Sequence, residues 1–221
     1  MNLFFLFSMI HFEVANIHIF LYFSYLCSVF FKIFLMPNTV LNTAVRALRQ
    51  GLTLLYPTDT LWGVGCDATM PDAVDKIYTL KQRDPAKAML VLASVAMLRY
   101  DMPRPVTDLL LRSPRPTTVV MPATWLTVTV ANNLPAADGT LGVRVPHMDF
   151  CQQLLESLGH PIVSTSANLS GTPSPQRFSD ISDAIKKAVD YVVPAFLEAG
   201  SSGSASHIVK AMPDGSLSVI R

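Results

Sequence analysis

Little of this sequence is charged, and almost none of it is cysteine. Asp, Glu, Lys and Arg make up 15% of 221 residues and sum to a formal net charge of +1. A chain this close to neutral has no global attraction for nucleic acid or an anionic membrane, so any polyanion site must be a local patch. Cys27, Cys66 and Cys151 are too scattered for a disulfide framework or a metal-binding spacing. His11, His18, His147, His160 and His207 also lack metal-ligand spacing with one another. A reduced fold with no metal held by protein side chains is expected. No Walker-type glycine loop is present, which argues against a P-loop nucleotidase. No Ser/His/Asp arrangement or cysteine nucleophile stands out. There is no internal repeat, and Ser201–Ser206 is the only low-complexity patch.

Hydrophobic residues, by contrast, are half of the chain, enough for one domain or two small ones with a sizeable core. Their distribution is uneven. Residues 1–35 are crowded with Phe, Leu, Ile and Tyr, and carry only Glu13 and Lys32 as formal charges. The run from Ile17 to Phe31, with its flanks, approaches the roughly twenty apolar residues that span a bilayer. However, no Lys or Arg precedes Lys32, so the basic start of a signal peptide is absent, as is a small-residue cleavage site. Met36 follows at once, and ordinary patterning begins behind it. The expectation is a hydrophobic leader over 1–35 from a mis-assigned start, with a membrane anchor as the alternative. A cytoplasmic domain over 36–221 follows.

Within that domain, Asn38 is placed to cap a helix with Val40, Leu41, Ala44, Val45 and Leu48 at helical spacing, and Gly51 to end it. The apolar Leu52–Leu55 reads as a buried strand that ends at Pro57, which cannot donate a ladder hydrogen bond. Thr58, Asp59 and Thr60 then put three short polar side chains at the carboxyl end of that strand, where ligands sit in open α/β sheets. Gly63 and Gly65 allow unusual backbone conformations or a close approach. The simplest alternative is an ordinary strand–turn–strand. Thr69-Met70-Pro71-Asp72 has the form of a capping box, opening a helix that runs out at Lys81-Gln82-Arg83 before Asp84-Pro85.

Further strands are expected at Met89–Ala93, Thr117–Met121, Trp125–Val130, Leu141–Val145 and Pro161–Val163, the last opening into Ser164–Gly171. Helices are expected near Val106–Leu111, over Phe150–Leu158 and around Ile181–Val189. A hairpin about Asp214-Gly215 joins His207–Lys210 to Leu217–Ile220. Alternating helices and strands with hairpin-like pairs predict an α/β fold with a mixed sheet.

Three polar clusters fall at element ends: Thr58 to Thr60; Lys81 and Arg83, with Lys87 beyond; and Ser164 to Asn168, with Arg144 ending a separate strand. Cations at a helix C-terminus have a cheap explanation in the helix dipole. A Ser/Thr/Asn run can likewise be a cap and turn. Their joint occurrence favours an anionic ligand, since guanidinium and ammonium groups match phosphate and carboxylate.

The motifs then carry a family resemblance. YPTDTLWGVGCDA from Tyr56, LKQRDPAKAMLVL from Leu80, Pro114-Arg115-Pro116-Thr117-Thr118, GVRVP from Gly142 and STSANLSG from Ser164 occur in the order found in the YrdC-like family of threonylcarbamoyl-AMP synthases. From about Met36 to Arg221 the chain resembles the short form of that family. The resemblance implies a twisted mixed sheet with flanking helices around a concave cleft. It also implies a nucleotidyltransferase that joins L-threonine, bicarbonate and ATP into threonylcarbamoyl-AMP and pyrophosphate, with Mg²⁺ as helper. A separate transferase complex then modifies tRNA. Thr58 and Arg144 would contact threonine. Lys81, Arg83, Ser166 and Asn168 would hold ATP, and Thr118, Thr140 and Ser164 would line the nucleotide side, with no covalent catalyst.

Three positions depart from the pattern. Arg115 replaces a glycine, Leu92 stands where longer members have histidine, and Ser206-His207 replaces Ser-Thr. Arg221, where the chain stops, is a candidate ATP contact. Two rival readings use the same cleft: a module that binds double-stranded RNA without turnover, and a catalytically weak YciO-like paralogue.

Overall fold

The computed structural model describes residues 36–84, 89–212 and 216–221. The hydrophobic leader, Pro85, Lys87 and the Asp214-Gly215 turn lie outside them. No helix among the described residues is long and apolar enough to cross a membrane. The chain divides into two units, Met1–Asn42 and Thr43–Arg221. Of the first, the described part is the opening of a helix; the sheet and every site below belong to the second.

Helix α1 (Met36–Arg49) begins ahead of Asn38, which therefore lies inside it rather than capping it. A proline at position 37 suits a first turn, where its missing N–H has no intrahelical partner to lose. Ala44, Val45, Ala47 and Leu48 are buried. Gly51, at φ 68°, ends the helix in the left-handed conformation that glycine adopts without strain.

Strands β1 (Leu54–Pro57) and β2 (Trp62–Gly65) form an antiparallel hairpin around Thr58–Leu61. Gly65 is required by contact, not by its φ: a Cβ there would lie 2.0 Å from the Val163 carbonyl oxygen. Helix α2 (Pro71–Lys81) has Met70, not Thr69, at its N-cap and lacks a side-chain cap. The Thr69 backbone N–H and hydroxyl instead donate to Asp67 Oδ1, at 2.9 and 2.7 Å, so the expected capping box does not form.

After β3 (Leu90–Leu92) and α3 (Arg104–Arg112) come β4 (Thr117–Pro122), β5 (Thr140–Arg144), α4 (Asp149–Leu158) and β6 (Ile162–Ser166). A short helix α5 (Asp183–Ala188), then β7 (Tyr191–Val192), β8 (His207–Ala211) and β9 (Leu217–Val219) complete the set. The nine strands among the described residues lie in the order β7-β1-β2-β6-β3-β5-β4-β8-β9. Three neighbouring pairs are parallel (β1 with β7, β3 with β5, β4 with β8) and the rest antiparallel, which is the mixed sheet expected.

Two further local expectations change, and one strand was not foreseen. Trp125–Val130 alternates like a strand, but it makes only an isolated bridge from Leu126 to Leu98, because its neighbour there is itself irregular. Ser164–Ser166 is not a turn but the end of β6, held between β2 and β3 by pairing on both edges. Ladder partners distant in sequence override the turn preference of serine and threonine. The two-residue β7 was too short to read.

Side chains alternate across a strand. Val119, Met121, Leu141, Val143 and Val163 are essentially inaccessible. The intervening residues of the same strands face the cleft described next.

Candidate active site

The period-2 rule selects the floor of the site. Thr118 and Val120 of β4, Thr140, Gly142 and Arg144 of β5, and Ser164 and Ser166 of β6 all border one cleft. Trp62 and Gly63 of β2 and the β1–β2 turn close one end; Ser206, Ile208 and Arg221 border it too. Its volume is about 380 Å³, within the ordinary range for small-molecule sites. Arg83, Arg144 and Arg221 line it and, among the described residues, no carboxylate does. Such a lining favours anions.

At the β1–β2 end Arg144 is buried, with 3% of its surface exposed. Its Nη1 donates to Thr60 Oγ1 (2.8 Å) and its Nη2 to Thr58 Oγ1 (3.2 Å). Asp59 Oδ1 lies 3.4 Å from Nη2, and the His147 N–H donates to Asp59 Oδ2 at 3.3 Å. The Thr58 and Thr60 hydroxyls are 2.8 Å apart, and Thr58 donates to the Leu61 carbonyl at 2.7 Å. The Thr58-Asp59-Thr60 turn is thus bound to a guanidinium more than eighty residues away in sequence. Among the described residues, Arg144 Nε and Asp59 Oδ1 have no hydrogen bond. A buried polar atom in that state is costly unless a ligand or water serves it.

The Ser201–Ser206 stretch, read as mere low complexity, holds this turn from outside. Ser201 Oγ donates to the Thr58 carbonyl (2.6 Å), the Ser202 N–H to Asp59 (3.1 Å) and the Gly203 N–H to Thr60 (2.8 Å). Small residues let the backbone come this near, a signal visible in the composition but not in its direction.

Lys81 is where the geometry differs most from a simple phosphate clamp. It is 2% exposed and does not line the cleft. Its Nζ donates to the Ser166 and Asn168 carbonyls and, at 3.0 Å, to Asn168 Oδ1. The Ser170 N–H in turn donates to the Lys81 carbonyl at 3.1 Å. Burial, with the Arg83 charge adding to it, brings the Lys81 ammonium down to about 8. Asn168 is likewise not among the lining residues; its Oδ1 accepts the Ser166 hydroxyl at 2.5 Å. Lys81 and Asn168 thereby set the position of Ser166, whose side lines the cleft.

Seven expected site residues therefore meet at one surface: Thr58, Arg83, Thr118, Thr140, Arg144, Ser164 and Ser166. The other two, Lys81 and Asn168, do not line it. Thr118 shares a 2.8 Å hydrogen bond with Ser206, and the Thr140 hydroxyl donates to Asp138 at 2.6 Å. Sequence reasoning named Ser206 only within its motif, without its link to Thr118, and missed the part played by Glu198. Glu198 Oε2 accepts both the Trp62 indole N–H and the Phe178 N–H, each at 2.6 Å, and so fixes a wall of the cleft. No spacing linked Glu198 to Trp62, 136 residues away. Burial pushes the thiols of Cys66 and Cys151 well up, so neither is an activated nucleophile.

The Sua5/YciO/YrdC family model, described as telomere recombination, matches residues 46–221. The chain is 36% identical over 149 residues to the threonylcarbamoyl-AMP synthase of Chromohalobacter salexigens, spanning 66% of this chain and 80% of that one. In structure it is similar to E. coli YciO (TM-score 0.65, 24% identity, 83% of this chain and 88% of that chain). It is also similar to P. abyssi Sua5 complexed with L-threonine (TM-score 0.65, 23% identity, 77% and 50%).

Proposed function

Since the chain belongs to the Sua5/YciO/YrdC family, we propose that it is a threonylcarbamoyl-AMP synthase: it condenses L-threonine, bicarbonate and ATP and releases pyrophosphate. The observation that carries this reading is the single cleft, lined by three guanidinium groups and no described carboxylate, on which seven predicted residues converge.

Threonine sits at the Thr58–Arg144 end, where hydroxyls and a buried guanidinium suit an amino acid carboxylate. ATP lies across β6, β5 and β4, against Arg83, Ser164, Ser166, Thr118 and Thr140, with Lys81 and Asn168 holding the Ser166 segment in place. The threonine amine attacks carbon dioxide derived from bicarbonate and gives a carbamate. A carbamate oxygen then attacks the α-phosphorus, the bond to the β-phosphate oxygen breaks, and pyrophosphate leaves with the electron pair. The protein contributes alignment of the reactants and positive charge where negative charge builds. No covalent intermediate on the protein is needed.

The lining offers hydroxyls but no described carboxylate, so it does not fit a Mg²⁺ site of its own; Mg²⁺ would be held by the phosphates of ATP and would offset their charge. The reaction belongs in the cytoplasm, and its product passes to a tRNA-modifying transferase. Threonine- and bicarbonate-dependent pyrophosphate release from ATP tests the reading. Salt-sensitive binding of double-stranded RNA with no such release would replace it by the binding module. Absence of both would point to the inactive paralogue.

A further inference from the structure

Beside the cleft is a second cavity of about 430 Å³. The two share Ala205, Ser206 and Arg221 as a common wall, so the second space is an annexe of the first. Arg115 and His207 line it as well. Arg115 leads into β4 and His207 opens β8. Their parallel pairing sets Thr117 opposite His207, and the His207 N–H donates to the Pro116 carbonyl at 3.0 Å. The two side chains therefore enter from the same end of adjacent strands. Arg221 is brought to them by backbone bonding of Ile208 and Arg221, and its Nη2 donates to the Ser206 carbonyl at 3.2 Å.

Two guanidinium groups and an imidazole thus border one space, and no Asp or Glu side chain among the described residues does so. Unopposed cations around a concavity concentrate anions, and the guanidinium fork matches phosphate oxygens in particular. Arg115 and His207 are also two of the positions where this chain departs from the family motifs, and both departures fall on this one cavity. A shared feature of the family would not predict that coincidence; a local ligand site in this chain does.

We propose that the annexe binds inorganic pyrophosphate, receiving the leaving group of the synthase reaction once the α–β bond is broken. The identity of the ligand as a product rests on the synthase reading; the site itself does not. Ser206, hydrogen-bonded to Thr118 on the cleft side, stands at the passage between the two spaces. A product held in the annexe has left the line of attack but not the protein, so pyrophosphate should inhibit through Arg115 and His207.

The test is calorimetric titration of the full chain with inorganic pyrophosphate, without nucleotide. Binding should weaken about tenfold or more in the double variant Arg115→Gly, His207→Thr. Arg115 is exposed, so its replacement leaves the fold intact, as a melting curve verifies. In turnover, the double variant should resist pyrophosphate inhibition by the same factor while the threonine KM is unaltered. Unchanged binding in the double variant, or binding lost only in Arg83→Ala, overturns the proposal. So does adenosine, in place of pyrophosphate, binding in a manner that needs Arg115. Annexe binding in a protein that makes no pyrophosphate supports this site and overturns only the synthase reading.

Discussion

Replacing Lys81 with methionine separates a residue that positions a segment from one that grips a ligand. Two stability terms oppose each other. The folded protein holds the Lys81 ammonium at about 8 instead of 10.5, so at neutral pH the buried charge costs about 3 kcal/mol. Methionine removes that cost. It also removes a partner from three acceptors. Ser166 O keeps the Asn168 N–H, and Asn168 Oδ1 keeps the Ser166 hydroxyl, which leaves chiefly the Asn168 carbonyl unserved. One orphaned acceptor costs about 1–3 kcal/mol. The net change should stay within about 2 kcal/mol, or a Tm shift of roughly 4–8 °C at most. Activity should fall much further, because Ser166 shifts, and a displacement of about 1 Å can cost on the order of a hundredfold.

The pH dependence adds a second test. Between about 8 and 10.5 the unfolded chain binds more protons at this lysine than the folded one, so Lys81 contributes stability that rises with pH across that window, against the buried Cys66 and Cys151 thiols, which burial holds up and which pull stability the other way. Synthesis should do the opposite and decline as pH passes about 8, since a neutral amine has two donors for three acceptors. Lys81→Met should lack the decline in synthesis, and its stability should fall more steeply with pH than that of the wild type. Pyrophosphate-release assays and melting curves from pH 7 to about 10 measure them. Normal turnover in the variant, or a wild-type profile flat through pH 8 to 9, would refute the reasoning.

Arg144→Ala should raise the threonine KM far more than the ATP KM, and should lower stability by about 3–5 kcal/mol, because Asp59 is left buried without its partner; Asn168→Ala should shift the ATP KM instead, and steady-state kinetics with denaturant melts would expose the reverse. Gly65→Ala should abolish soluble expression, since its Cβ meets a main-chain oxygen at 2.0 Å. Gly63→Ala, whose Cβ would sit 3.1 Å from Ser164 Oγ in the cleft, should fold and lose synthesis; equal solubility of the two would contradict this. Glu198→Ala should cost about 1–3 kcal/mol and redden the Trp62 fluorescence, and an unchanged emission spectrum would show that the wall does not depend on it.

How much of this was legible beforehand follows from the range over which each interaction acts. Helix α4 and strands β1, β4 and β5 are written in local patterning: apolar residues at period 3.6 or 2, punctuated by glycine and proline. The polar clusters at the ends of β1, α2 and β5 were visible for the same reason, as breaks in that patterning. What the linear chain could not state is which break faces which. Lys81 looks like a helix-terminal cation until Ser166 and Asn168 are folded over it from 85 and 87 residues away. The Ser201–Ser206 stretch looks like a linker until three of its donors meet the carbonyls of Thr58 to Thr60. Serine and threonine have weak local preferences, so ladder pairing on both edges decided that Ser164–Ser166 is a strand and not a turn. Local propensity chose the elements; burial and hydrogen bonding between distant segments, which carry the larger free energies, chose how the cleft is walled.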